Sequence, residues 1–182
     1  MKKQIQLCAL LSIIGSISAF AAGCAVRPAA MEAKSAVIQN HQPFSVSLRT
    51  DDAHEDTSFG GPGIPGKRFS EAIRDSILKY GLFRTVLATD TGDYLLEADI
   101  VKVGAPAGGF TMTVNMAVRW KLTHLSTGKV VFQQTTFNTC TATVGDAFAG
   151  AARERLAEEG AARGNIEEAL HRLSQLNLTG KE

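Results

Sequence analysis

The chain reads as an α+β fold, a two-layer sandwich in which two helices pack on one face of a mostly antiparallel sheet. Three patterns predict it. Phe110, Met112, Val114, Met116, Val118, Trp120 and Leu122 share one phase, opposite Thr111, Thr113, Asn115, Arg119, Lys121 and Thr123, with Ala117 as the one apolar exception. That is a strand with one buried and one polar face. Phe69, Ala72, Ile73, Ile77 and Tyr80 fall at helical spacing before Gly81, the residue type expected just past a helix end. From about Gly145 to Leu176, Phe148, Ala152, Leu156, Ile166, Leu170 and Leu173 form a second helical stripe among many charges. The order strand, helix, several strands, helix buries every stripe most simply when both helices lie on one side of the sheet.

The elements follow in turn. Phe44, Val46 and Leu48 alternate with Ser45, Ser47 and Arg49 as a first strand. A loop dense in charge and turn residues runs from Asp51 to Gly66, ahead of the first helix. Leu82 to Leu87 forms a short strand directly after Gly81, and Tyr94, Leu96, Ala98 and Ile100 mark a third. After the long strand, Ser126-Thr127-Gly128-Lys129 is a turn that returns Val130 to Cys140 as its antiparallel partner. The phase of this last strand is ambiguous, the mark of a bulge. Gly160 and Gly164 interrupt the final helix, so either it kinks there or its backbone comes close to the sheet.

The N-terminal segment is of a different kind. Lys2 and Lys3 precede an apolar stretch from Leu7 to Phe20 that ends in small residues, the layout of a secretory signal. The stretch is shorter than the roughly 20 residues that cross a bilayer. Ala22-Gly23-Cys24 resembles the junction at which lipoprotein signal peptidase cuts before a diacylglyceryl-modified thiol, which makes Cys24 the lipidation site. Two or three acyl chains such as palmitate suffice for stable anchoring. Ala19-Phe20-Ala21 also satisfies the small-x-small rule of ordinary signal peptidase, and cleavage after Ala21 releases a soluble protein with Cys24 free to pair with Cys140. The division expected is residues 1–23 as signal peptide, 24–43 as lipidated N-terminus and flexible tether, and 44–178 as a single periplasmic domain.

Composition excludes several classes. The 182 residues hold 19 Lys+Arg and 18 Asp+Glu; the leader contains Lys2 and Lys3 and no acid, so the remainder carries a net side-chain charge of −1. A balance of that kind offers no basic face for nucleic acid. The cysteines stand at positions 8, 24 and 140, so a lipidated Cys24 leaves Cys140 without an intrachain partner and stability to the hydrophobic core.

No catalytic constellation is legible. Gly61 to Lys67 matches the glycine-lysine spacing of a phosphate-binding loop, but Arg68 stands where a magnesium-binding Ser/Thr belongs, and Pro62 and Pro65 remove amide donors. Neither a nucleotide nor any other cofactor is expected. Asp51, Asp52, His54, Glu55 and Asp56 offer ligand types without the spacing of a calcium loop, so no metal is expected and a solvated loop is the better reading. Cys140, His124 and His171 lack an elbow or oxyanion motif around them. The polar face of the long strand, with Thr111, Thr113, Asn115, Arg119 and Lys121, is left uncovered by the pattern and is the candidate docking surface for a protein or glycan.

Beyond the lipobox, the chain resembles small bacterial envelope lipoproteins of the YajG type. The resemblance rests on Ala22-Gly23-Cys24, the passage from Phe69 to Phe83, Asp93 to Ala98, Ser126 to Val131 and Glu159 to Ile166. It is similar also to penicillin-binding-protein activator lipoproteins and to auxiliary lipoproteins of envelope transporters. The resemblance implies a noncatalytic accessory or scaffolding component of an envelope assembly, anchored by lipid and meeting an envelope protein partner. A periplasmic enzyme or ligand-binding protein acting on lipid or glycan is the alternative. Ala25 after the cysteine implies the outer membrane, because aspartate there commonly marks inner-membrane retention.

Overall fold

The computed structural model describes residues 25–51, 63–104 and 109–178. In chain order it contains α1 (Pro28–Met31), β1 (Gln42–Thr50), α2 (Gly66–Tyr80), β2 (Phe83–Leu87), β3 (Tyr94–Gly104), β4 (Met112–His124), β5 (Lys129–Ala142) and α3 (Gly150–Ser174). The five strands form one sheet in the order β2-β1-β3-β4-β5. The α+β class is as expected, with a mixed sheet: β1 runs parallel to both β2 and β3, while β3, β4 and β5 are antiparallel.

Parallel pairing requires crossovers, and the chain supplies two. Helix α2 carries β1 to β2 on the core side. It ends at Gly81, whose φ of 61° lies in the left-handed region and whose amide donates to Leu78 O. The return from β2 to β3 is only six residues long and passes across the outer face of β1. Ser47 Oγ donates to Thr89 O, Gly92 N donates to Ser47 Oγ, and Asp93 Oδ2 accepts from both Ser45 N and Ser45 Oγ. The approach is close enough that a Cβ on Gly92 would lie 2.9 Å from Ser47 N, which is why glycine stands there.

The core lies between the sheet and the helices. Trp120, Tyr94, Phe69, Met31, Leu96, Leu122, Ile166, Leu170 and Leu173 are fully buried. β5 carries polar residues on its core side: the Thr136 hydroxyl accepts from Trp120 Nε1 and donates to Asn165 Oδ1, and Asn138 Nδ2 donates to Glu168 Oε2. A polar buried face, together with a register shift opposite Leu122 and Thr123, explains the ambiguous phase. Helix α3 runs unbroken through Gly160 and Gly164 and lies close on β5. A Cβ would meet Cys140 Sγ at 2.2 Å from the first and Asn138 Oδ1 at 2.6 Å from the second.

Three expectations are corrected. Phe110 precedes β4 and Phe148 precedes α3, and both are exposed rather than part of a buried stripe. There are three helices among the described residues, since Pro28–Met31 forms a short turn of its own. Most consequentially, the described part of the tether segment is packed: Val26, Met31 and Ala33 are buried between α2 and α3. Ala33 N donates to Ser76 Oγ at 2.9 Å and Lys79 Nζ donates to Ala33 O at 2.8 Å. The strap is held by backbone hydrogen bonds to side chains of the two helices, an arrangement with no hydrophobic period to read.

Candidate functional site

The sequence places Thr113, Asn115, Arg119 and Lys121 on one side of β4, and the register sets them on the face away from the helices. Thr111 lies just before the strand. The loop crossing β1 shields Ser45 and Ser47, so the part of this face left open is carried by β3, β4 and β5.

Its charged half is a ladder. Lys121 Nζ meets Glu97 Oε2 at 2.7 Å, Glu97 Oε1 lies 3.7 Å from Arg49 Nη1, and Arg49 also pairs with Asp90. Arg119 Nη2 donates to Asp99 Oδ2 at 2.9 Å. The ladder follows from register: Asp99 faces Arg119 and Glu97 faces Lys121 as direct cross-strand neighbours. The two cations proposed for docking are thus internally neutralised, their head groups still in solvent.

The other half is neutral. Thr113 and Thr141 hydroxyls lie 2.9 Å apart, and Thr139 Oγ1 donates to Asn115 Oδ1 at 2.7 Å. Between these pairs and the ladder, Phe137 stands opposite Ala117 with 73 % of its surface exposed. The pattern along β4 alone could not reveal Phe137. The signal lay in the turn at Ser126–Lys129, which makes β5 the antiparallel neighbour, but the bulge hides which face Phe137 takes.

The remaining candidates separate. Cys24, Asp52, His54, Glu55, Asp56, Gly61 and Pro62 lie outside the described residues. Gly66 and Lys67 open α2, where Thr50 Oγ1 donates to Gly66 O, and a shallow groove of about 620 Å³ passes Lys67, Arg74 and Arg49. Cys140 packs under α3 at Gly160. His124 is buried against Tyr94, ring centroids 4.9 Å apart, and its Nδ1 lies 2.9 Å from Thr127 Oγ1 and 3.3 Å from Ser126 Oγ. All three belong to one turn, so this serine–histidine contact shapes the hairpin. His171 Nδ1 lies 3.1 Å from Val37 O and holds the strap. Among the described residues no group of three or more His, Cys, Asp or Glu side chains is placed to hold a metal ion.

One carboxyl is strongly perturbed. Glu158 on α3 is buried, and desolvation, reinforced by Glu154 and Glu159, pushes its pKa up to about 7 against the opposing hydrogen bond from the Gly63 backbone. Of the two carboxyls beside it, Glu159 pairs with Arg27 at 3.3 Å.

Neither a protein-family model nor a curated protein sequence matches the chain. The fold, in contrast, is shared. A Xanthomonas campestris protein of family DUF330 superposes with a TM-score of 0.55 at 16% identity, over 76% of this chain and 92% of that one. A candidate lipoprotein from Caulobacter crescentus superposes with a TM-score of 0.50 at 15% identity, over 71% and 87%. At such identities the likeness is one of fold.

Proposed function

We propose that the chain is an envelope lipoprotein, anchored through Cys24 at the outer membrane, whose domain acts as a noncatalytic accessory subunit docking on a larger envelope protein through its open sheet face. The observation that carries this reading is the face itself: an open sheet surface outside the helix layer, with Phe137 exposed between a threonine cluster and an ion-pair ladder. An exposed aromatic ringed by polar groups is the composition of an interface anchor and its rim. The lipobox-like junction and the fold shared with a candidate lipoprotein support the anchoring half of the reading. Among the described residues no helix is long and apolar enough to cross a membrane, so the acyl chains are the proposed hold.

A photocrosslinking residue at position 137, in living cells, tests the docking half. One discrete adduct is expected from position 137, none from position 84 on the far edge strand, and loss of the adduct when Arg119→Glu and Lys121→Glu are combined. Adducts of equal yield from both positions, or none from either, reject the face. Metabolic acyl labelling tests the anchor: label in wild type and none in Cys24→Ala supports it, whereas no label in either points to cleavage after Ala21.

A further inference from the structure

Three apolar side chains are exposed at one end of the domain: Phe148 at 91 %, Phe110 at 85 % and Val144 at 40 %. They come from two loops, one before β4 and one between β5 and α3, and a single side chain joins them. Arg153, buried in the first turns of α3, donates from Nη1 to Ala147 O and Phe148 O, and from Nη2 to Gly109 O at 3.0 Å. The Asp146 carboxylate accepts from Thr143 N and Thr143 Oγ1, both at 2.8 Å, and closes the turn between Val144 and Phe148. The two phenylalanines are therefore held outward by a bonded framework. Scattered exposed apolar residues are ordinary, but a fixed cluster at one pole marks a contact surface.

The path of the strap says what covers it. Arg27 N donates to Glu159, Arg163 donates to Ala30 O, Lys34 N and Ser35 N donate to Glu167, and Asn40 N donates to Ser174 O. The strap and α3 thus run side by side in the same direction, and going upstream along the strap leads toward the N-terminal end of α3. Arg153 lies six residues before Glu159, about 9 Å along the helix axis. Cys24 stands three positions before Arg27, a covalent reach of at most about 10 Å. A cysteine acylated at position 24 would consequently be held within about 10 Å of Arg27, toward the end of α3 that carries Arg153 and the loops of Phe110 and Phe148.

We infer that this pole is a membrane-contact surface: Phe110 and Phe148 enter the bilayer that holds the Cys24 acyl chains and seat the domain directly on it. The inference rests on the lipid-anchor reading above. The acyl chains supply the hold, and the two exposed aromatic rings beside them add apolar area that the bilayer interface buries, which fixes the orientation of the domain. The open sheet face, on a different side of the molecule, is left free for protein.

The test uses the mature acylated protein, beginning at Cys24, reconstituted in vesicles of phosphatidylethanolamine and phosphatidylglycerol whose acyl chains carry bromine, a contact quencher of tryptophan. Phe110→Trp and Phe148→Trp are compared with Phe137→Trp on the sheet face, over the background of the single native tryptophan, Trp120, which is buried. Quenching and a blue shift are expected at 110 and 148, with neither at 137. Acylated protein, verified by intact mass, with unquenched tryptophans at 110 and 148 overturns the membrane contact and leaves the anchor standing. A blue shift without bromine quenching overturns it in favour of contact with a second copy of the chain at that pole, the only other protein present. A mass without acyl chains at Cys24 overturns both readings.

Discussion

Glu158 shows how a single side chain departs from anything its sequence context announces. Its neighbours Glu154 and Glu159 suggest an exposed acidic helix, yet the fold buries it and raises its pKa to about 7 from 4.5. Between those values the folded carboxyl keeps a proton that the unfolded chain has released. Its stabilising contribution is complete below pH 4.5 and is lost as pH rises through 7. Glu158→Gln is expected to remove this loss and to stabilise the protein at pH 8 by on the order of 2 kcal/mol, with no gain at pH 4. Denaturant midpoints at the two values measure it, and an equal effect at both would contradict the buried, protonated carboxyl. Trp120 illustrates the opposite case. Its buried phase was legible from β4 alone, while its bond to Thr136 and the link onward to Asn165 depended on where α3 lands.

At the scale of elements, local pattern succeeded where one face is apolar and failed where burial is polar or aperiodic. The helix Gly66–Tyr80 and the strand Met112–His124 obey their periods closely, so their limits were read within a few residues. The strap has no period because its anchors are amides and side-chain hydroxyls or carboxylates. Met31, fully buried between the helices, makes the difference measurable: Met31→Ala is expected to cost about 3 kcal/mol, whereas a free tether predicts no change. Helix α3 offers a second test. Gly160→Ala gains helix propensity, but its Cβ would press on Cys140, whose own Cβ would lie 2.9 Å away. A net loss of about 1–3 kcal/mol is expected, with partial recovery when Cys140→Gly is added. Stabilisation by Gly160→Ala would show that the helix stands further from the sheet.

Across the whole molecule, the two sides of the sheet differ: the helices and strap cover one face, while β3, β4 and β5 leave the other open. The ladder on that open face consists of exposed pairs, each worth about 1 kcal/mol or less. Arg119→Glu with Lys121→Glu is accordingly expected to shift unfolding by only about 1–2 kcal/mol while abolishing the crosslink at position 137. A large loss of stability would make the ladder a structural device instead. The α+β class, the order of the main elements, the open polar side of β4 and the lipidation-like junction at Cys24 are legible along the chain, because each is written in local period or in contiguous residues. Long-range packing is what sets β1 between two parallel neighbours, binds residues 26–40 along α3 and brings the loops of Phe110 and Phe148 to one pole. These depend on contacts between residues far apart in sequence, made by backbone groups and polar side chains whose partners no single segment specifies.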